Sequence, residues 1–452
     1  MFAKINFHDE FYQKLKLLVL PITMQQFMLA LVSATDAIML GAVSQTSLSA
    51  VSLAGQIQFV LNLFISGISA GSGIMAAQYW GKKDAASIEE VMPIALRTNL
   101  IFSGAFTVFA AVAPEVLMRI FTSDPALIES GAVYLRAVSL SYLLCGISQI
   151  YLILLKNTGY ATVSSRISCT AVVVNIICNA ILIYGLLGLP ALGIQGAAYA
   201  TVAARLVELV WSYLETKQSG RVQIIWKKMF RAADAVLTKD FWRYTMPVLG
   251  AALVWGIAYV SYSVIMGHMG SDAVAANSIT TIAKNMLSCL ISGGAGVLIG
   301  NLLGAGELDK AKVYGGRLTR MAIVVGMTTG GLLMLISPLI VRFAPLSDTA
   351  AEYLQYMLIF CGCNIMAQSV NTTVLDGIFC AGGDSKFDMK GNLGAMWCFS
   401  VPFGFFAAFV LKWPVMVVYC IVNLDEIVKI PAVYLHYKKY IWVRNITVQE
   451  EA

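Results

Sequence analysis

Nine stretches of this chain, 17 to 45 residues long, contain no Asp, Glu, Lys or Arg: 37–81, 98–114, 137–155, 167–204, 244–267, 285–306, 321–341, 353–375 and 391–411. A helix needs about 20 mostly apolar residues to cross the hydrocarbon core of a bilayer. A membrane β-barrel would instead show short segments of alternating character. Charged residues make up 12% of the chain and mean hydropathy is +0.75, whereas a soluble domain carries roughly 25% charged residues. Most of the surface must therefore face lipid. Two of the runs are long enough to divide, the first at the polar stretch 41–49 and the second at 185–193, which contains Pro190. The pattern predicts twelve transmembrane helices, over 17–40, 52–79, 92–113, 131–155, 167–187, 193–215, 242–267, 275–303, 318–340, 352–377, 391–411 and 413–437. The expected fold class is an all-α integral membrane protein.

The cations between these spans are unevenly divided. Of the 31 Lys and Arg, 23 fall on one side and Arg119, Arg136, Arg342 and Lys412 on the other. Positive charge stays on the cytoplasmic side, so both termini are expected there, in a multi-pass protein of the plasma membrane. The net charge of +6 is largely this asymmetry and does not point to nucleic acid. Asp9, Glu10, Lys14 and Lys16 precede a full-length span without a small-residue cleavage site, unlike a secretory leader. The nine cysteines lie in or at the ends of spans and read as packing residues. Asn445-Ile446-Thr447 matches a glycosylation acceptor but sits on the cytoplasmic tail.

The chain repeats itself. Pro21 and Pro247 open the first and seventh spans, and Gly41 and Gly267 close them. ISAGSGIMAAQYWG at 68–81 overlays ISGGAGVLIGNLLG at 291–304, and Gly159 after span four matches Gly383 after span ten. Two six-helix bundles of like orientation form a parallel 6+6 repeat. The expected domains are an N-lobe over 1–216, a basic cytoplasmic linker over 217–241 and a C-lobe over 242–452. Two such bundles can rock to open a central cavity alternately to each side.

Four clusters, in order and spacing, resemble the multidrug and toxic compound extrusion (MATE) family across nearly the whole chain. They are LPITMQQFMLALVSATDAIMLG at 20–41, Gly71-x-Gly73…Gln78-x-x-Gly81 with its Asn301 counterpart, GIQGAAYATVAAR at 193–205, and the AGGD turn at 381–384. The resemblance, closer to the DinF-like branch, implies a secondary antiporter. It would export small organic compounds in exchange for H⁺ or Na⁺, as a monomer and without a cofactor. A flippase for a lipid-linked precursor is the alternative.

Ionisable groups inside the bilayer cost roughly 2.5–3.5 kcal/mol on insertion scales. Asp36, late in span one, either exchanges a proton or cation there or reaches interfacial water. The resemblance makes Asp36 the centre of an N-lobe coupling site with Asn175 and Asn179 on span five, Thr201 on span six and Tyr134 on span four. Oxygen ligands of this kind suit a hard cation. One carboxylate where some relatives have two leaves H⁺ and Na⁺ both open, and no other metal is expected. Trp255 stands where NorM-like relatives carry a Glu, so coupling is expected mainly in the first half. Gln26, Trp255 and Lys284 are expected to line the substrate cavity. Lys284 lies roughly 13 Å into span eight at 1.5 Å per residue, facing that cavity or snorkelling to the surface. Arg205 with Glu208, and Asp425 and Glu426 with Lys429, read as local charge balance. Gly67-Ile68-Ser69-Ala70-Gly71 matches a nucleophile elbow only formally, because the elbow needs a strand-turn-helix, and no enzyme activity is expected.

Overall fold

A computed structural model describes residues 11, 13, 15, 17, 18, 21–28, 35, 39, 40, 45–121, 125–229, 234–288, 294–344 and 346–447. Among these, every regular element is a helix. Hydrocarbon offers no partner for a backbone N–H or C=O, and an α-helix pairs them within one segment. In chain order the helices are α1 (Gln45–Gly81), α2 (Ala85–Val112), α3 (Pro114–Arg119), α4 (Pro125–Asn157), α5 (Ala161–Tyr184), α6 (Ile194–Thr216), α7 (Trp226–Met229) and α8 (Ala235–Gly267). They continue as α9 (Ser271–Ser288), α10 (Gly294–Gly304), α11 (Leu308–Phe343), α12 (Asp348–Asn371), α13 (Ser385–Asn392), α14 (Val401–Phe405), α15 (Val415–Val422) and α16 (Asp425–Tyr437). Eight helices among the described residues are long and apolar enough to cross a membrane, with a shorter apolar one at Gly294–Gly304.

Three stretches of the second half widen into π-helix: Thr372–Phe379 after α12, Leu393–Ser400 after α13, and Phe406–Val410 after α14. Each wide turn accommodates an additional residue within a continuing helix, and such turns are frequent at functional sites.

The chain divides into two compact units, Met24–Leu249, and Met1–Thr23 with Gly250–Ala452. In the first, α1, α2 and α4 pack around Ala54, Ile57, Leu61, Leu135, Val138 and Tyr142. In the second, α11, α12 and α15 contribute Leu333, Leu354, Leu358, Ile365, Val418 and Tyr419 to a common core.

The repeat is visible in how each unit packs. A methyl group added at Gly73 on α1 would stand 3.2 Å from Ile153 on α4, and one added at Gly296 on α10 would stand 3.3 Å from the Gly377 carbonyl. Ile153 and Gly377 are 224 residues apart, the same offset that separates Gly159 from Gly383. Those two glycines turn the chain after the fourth span of each half with φ of +90° and +77°, a region glycine enters without steric penalty.

Closest approach between α11 and α12 occurs at Gly330 and Gly362, where an added Cβ would meet the opposing carbonyl oxygen at 2.3 Å and 2.8 Å. Gly331, one residue along, has nothing within 4 Å. Gly362→Val should destabilise the purified protein by about 1–3 kcal/mol or more through overpacking. A thermal-unfolding assay in detergent should find Gly331→Val nearly neutral, and an equal effect of both would rule out this contact as the constraint.

Candidate functional site

In the first unit, polar side chains converge where α5 meets α6. Gly196 near the start of α6 stands so close to α5 that a Cβ would lie 2.6 Å from the Leu182 carbonyl group. This approach brings Thr201 alongside Asn175. Asn175 and Asn179 are one turn apart on α5, and both are buried, at 4% and 0% exposure. The Asn179 amide donates to Asn175 Oδ1 at 3.1 Å, and the Asn175 amide donates to Thr201 Oγ1 at 3.4 Å. The Thr201 hydroxyl in turn donates to the Ala197 carbonyl at 3.0 Å. Sequence reasoning named these three residues together, and the fold joins them in one hydrogen-bonded chain.

Tyr134 is partly buried against Leu40, Ile183 and Ala197. Asp36 lies outside the described residues. On either side of it in sequence, Gln25 donates to Ser168 Oγ at 2.8 Å, and the Met39 carbonyl accepts from the Tyr184 hydroxyl at 3.1 Å. Both partners belong to α5. Gln26 has an exposed side chain.

One turn of α6 also holds a charged pair. Arg205 Nη1 donates to Glu208 Oε2 at 2.9 Å, while Ser148 Oγ and Gln149 Nε2 on α4 donate to Oε1 at 2.6 and 3.3 Å. With Glu208 at 2% exposure, three side chains satisfy one carboxylate. Such saturation is what a buried ion pair requires to persist.

In the second unit, Lys284 on α9 turns inward. Its ammonium donates to Asn364 Oδ1 at 3.2 Å and lies within electrostatic range of Asp425 and Glu426. The Asn364 amide donates to the Asn423 carbonyl at 2.6 Å, a group left without an intrahelical partner by the break between α15 and α16. Trp255 stacks on Tyr259 with centroids 5.5 Å apart and is 38% exposed.

The Asp425, Glu426 and Lys429 group extends beyond its own helix. Lys429 donates to Glu426 Oε1 at 2.9 Å and to Asn392 Oδ1 at 3.1 Å, and stands 3.9 Å from Asp425. The Asn392 amide donates to Asp388 at 3.0 Å, and the Asn371 amide donates to Glu426 Oε2 at 2.7 Å. Asp388, Asp425, Glu426 and Lys429 are all under 10% exposed. Asp376, in the π-helical stretch, is exposed, yet it lies within electrostatic range of Asp388, Lys429 and Glu426. Sequence reasoning saw the spacing within α16 and missed Asp388, Asn392 and Asn371. No local signal points to these three: the 224-residue offset pairs Lys429 with the partly buried Arg205 and says nothing of the others.

Glu208→Ala leaves the partly buried Arg205 without its carboxylate and should destabilise the protein by about 1–3 kcal/mol. The Arg205→Met, Glu208→Met double variant should recover most of this loss in the same thermal-unfolding assay. A double variant as unstable as the single one would contradict a purely structural role for the pair.

The MatE family model matches residues 21–181 and 247–406. The two matched stretches begin 226 residues apart and end 225 apart. The chain is 23% identical over 416 residues to the uncharacterized transporter YisQ of Bacillus subtilis (strain 168), covering 91% of this chain and 90% of that protein. It is 24% identical over 427 residues to a probable multidrug resistance protein NorM of Bacillus cereus, covering 89% and 90%. Its fold matches a solved MOP superfamily transporter from Pyrococcus furiosus, reported with a binding pocket of reversed polarity, with a TM-score of 0.84 at 17% identity over 95% of both chains. An outward-facing multidrug resistance MATE family transporter matches with a TM-score of 0.80, also at 17% identity and over 95% of both chains.

Proposed function

Because the chain belongs to the MatE family, whose members are multidrug efflux transporters, we propose that it is a secondary antiporter exporting small organic compounds in exchange for H⁺ or Na⁺. The observation that carries this reading is the buried oxygen-rich chain of Asn175, Asn179 and Thr201. Asn175 and Asn179 lie on α5, the helix to which Gln25 and Met39, on either side of position 36 in sequence, are bonded. Neutral amide and hydroxyl oxygens beside one carboxylate form a hard donor set suited to a small cation, and the same carboxylate serves a proton equally well. Loading and release at Asp36 would bias the first unit between two arrangements, since a ligand shifts an equilibrium by its differential affinity for the two states. We place both termini in the cytoplasm and the monomer as the working unit in the plasma membrane, with no cofactor. Tyr134 is assigned to the coupling set, and Gln26, Trp255 and Lys284 to substrate contact, on the same basis.

A flippase for a lipid-linked precursor is the second reading. Lys284, a cation held inside a membrane bundle, is the feature that favours it.

Proteoliposomes with separately imposed pH and Na⁺ gradients, using ethidium as probe, should show gradient-driven export by the wild type. Asp36→Asn should reduce it to background. Equal export by both proteins would remove Asp36 from the mechanism. Movement of a lipid-linked anionic probe without any gradient would favour the flippase.

A further inference from the structure

The segment that follows α16 is fastened onto the second unit at three places. Trp442 is fully buried, at 0% exposure, in a slot lined by glycine. A Cβ at Gly382, in the turn before α13, would lie 1.9 Å from the Trp442 carbonyl oxygen, and one at Gly315 on α11 would lie 2.8 Å from its indole ring. Asn445 Nδ2 donates to the Gly304 carbonyl at the end of α10 at 3.2 Å, and Thr447 donates to Asn445 Oδ1 from both its N–H and its hydroxyl. At the head of the segment, His436 is hydrogen-bonded to Asp384 and lies flat on Phe387, with ring centroids 3.8 Å apart. Residues 436–447 thus tie together α10, α11 and the turn at 380–384.

Two features show that this segment is held under strain. Tyr440 has a φ of +51°, a left-handed backbone that a bulky side chain disfavours. The Trp442 Nε1–H is buried yet donates no hydrogen bond. A buried tryptophan N–H usually finds an acceptor, and without one its lost hydration is not recovered. Both penalties disappear when the segment lifts away, so burial of the indole holds it down only by the margin left after them. Strained backbone of this kind collects at switch regions.

The same turn of α11 also receives the helix that leads into span one. Phe11, Leu15 and Leu18 are buried at a spacing that puts them on one helical face. Phe11 meets Tyr314 edge to face with ring centroids 4.8 Å apart, and the Arg317 guanidinium lies 5.4 Å from the centre of the Phe11 ring. Tyr314 and Gly315 are adjacent, so α11 holds Phe11 at one residue and Trp442 at the next. We propose that residues 436–447 form a releasable strap that, when closed, fixes this turn of α11 and with it the leading turns of span one.

The first half fills the corresponding place differently. At the 224-residue offset Gly382 corresponds to Thr158, Trp442 to Gln218 and Asn445 to Arg221. Thr158 is buried and turns its hydroxyl onto the Leu154 carbonyl at 2.9 Å. Gln218 is exposed, and Arg221 lies over the Tyr160 ring at 4.4 Å while paired with Glu215. In both halves the segment after the sixth helix therefore returns to the turn after the fourth, but only the second half opens a slot there for an indole. The first segment runs on into α7, where Trp226 Nε1 donates to the Tyr151 hydroxyl at 2.7 Å. That anchored indole has the acceptor that Trp442 lacks.

The test is hydrogen–deuterium exchange of the purified full-length protein, read by mass spectrometry over peptides covering 440–447, 11–18 and α12. In the wild type 440–447 should exchange more slowly than an unstructured peptide and faster than α12, as a segment that opens locally does. Gly382→Ala drives a Cβ into the Trp442 carbonyl and should speed exchange of 440–447 by about tenfold, the equivalent of moderate overpacking. Exchange of 11–18 should rise with it, and α12 should not move. Tyr440→Gly relieves the left-handed backbone and should slow both peptides. Gly391→Ala, where an added Cβ has nothing within 4 Å, should change neither. Exchange of wild-type 440–447 at the rate of an unstructured peptide, or at that of α12, would overturn a releasable strap. Opening of 440–447 by Gly382→Ala with 11–18 unmoved would overturn its hold on span one. If Gly382→Ala fails to give monodisperse protein, Tyr440→Gly decides: slowing of both peptides supports the strap, and no change in either overturns it. The readout needs neither substrate nor ion gradient, so it stands or falls apart from the transport reading.

Discussion

No water reaches the hydrocarbon core to satisfy a backbone or side-chain polar group, and each feature of this chain answers to that constraint. Helices pair the backbone within single segments. Several of the serines and threonines that remain inside turn their hydroxyls back on their own helices, as Ser103, Thr107, Thr280 and Thr329 do within one turn. Where the backbone is interrupted between α15 and α16, a side chain replaces the missing partner: the Asn364 amide takes the Asn423 carbonyl. Where a full charge is retained, as at Glu208, three donors converge on it.

Attraction between helices must then come from close packing, because lipid tails are as apolar as leucine side chains. Small residues at the crossings supply it. Gly196 brings α6 onto α5, and Gly330 with Gly362 brings α11 onto α12. These crossings also place polar groups, because the approach at Gly196 is what puts Thr201 within reach of Asn175. The framework and the polar cluster are made by the same contacts.

The long charge-free runs and the paired glycines at Gly159 and Gly383 made the helical architecture and its duplication legible before any coordinates. Asn175 and Asn179 were legible as a pair because helical periodicity places residues four apart on one face. Their link to Thr201 depended on resemblance, since nothing in spacing alone brings α5 to α6. Asp388 and Asn371 were not legible at all. Asn371, and the Asn392 that bonds Asp388, find their partners 55 and 37 residues away on α16, and a local reading of Asp425, Glu426 and Lys429 closes on itself without them. The π-helical stretches were equally hidden, because a one-residue widening leaves the apolar pattern almost unchanged and shows only as a shift of the repeat offset.

Duplication followed by divergence has a chemical consequence. The first half presents neutral oxygens at Asn175, Asn179 and Thr201, and Arg205, one turn beyond Thr201, is held by Glu208. The second half places Lys429 inside its carboxylates. A cluster with a resident ammonium has in effect filled its cation position with a side chain. The two loci are therefore not interchangeable copies. The glycine framework that packs each half is kept while the polar groups it encloses diverge.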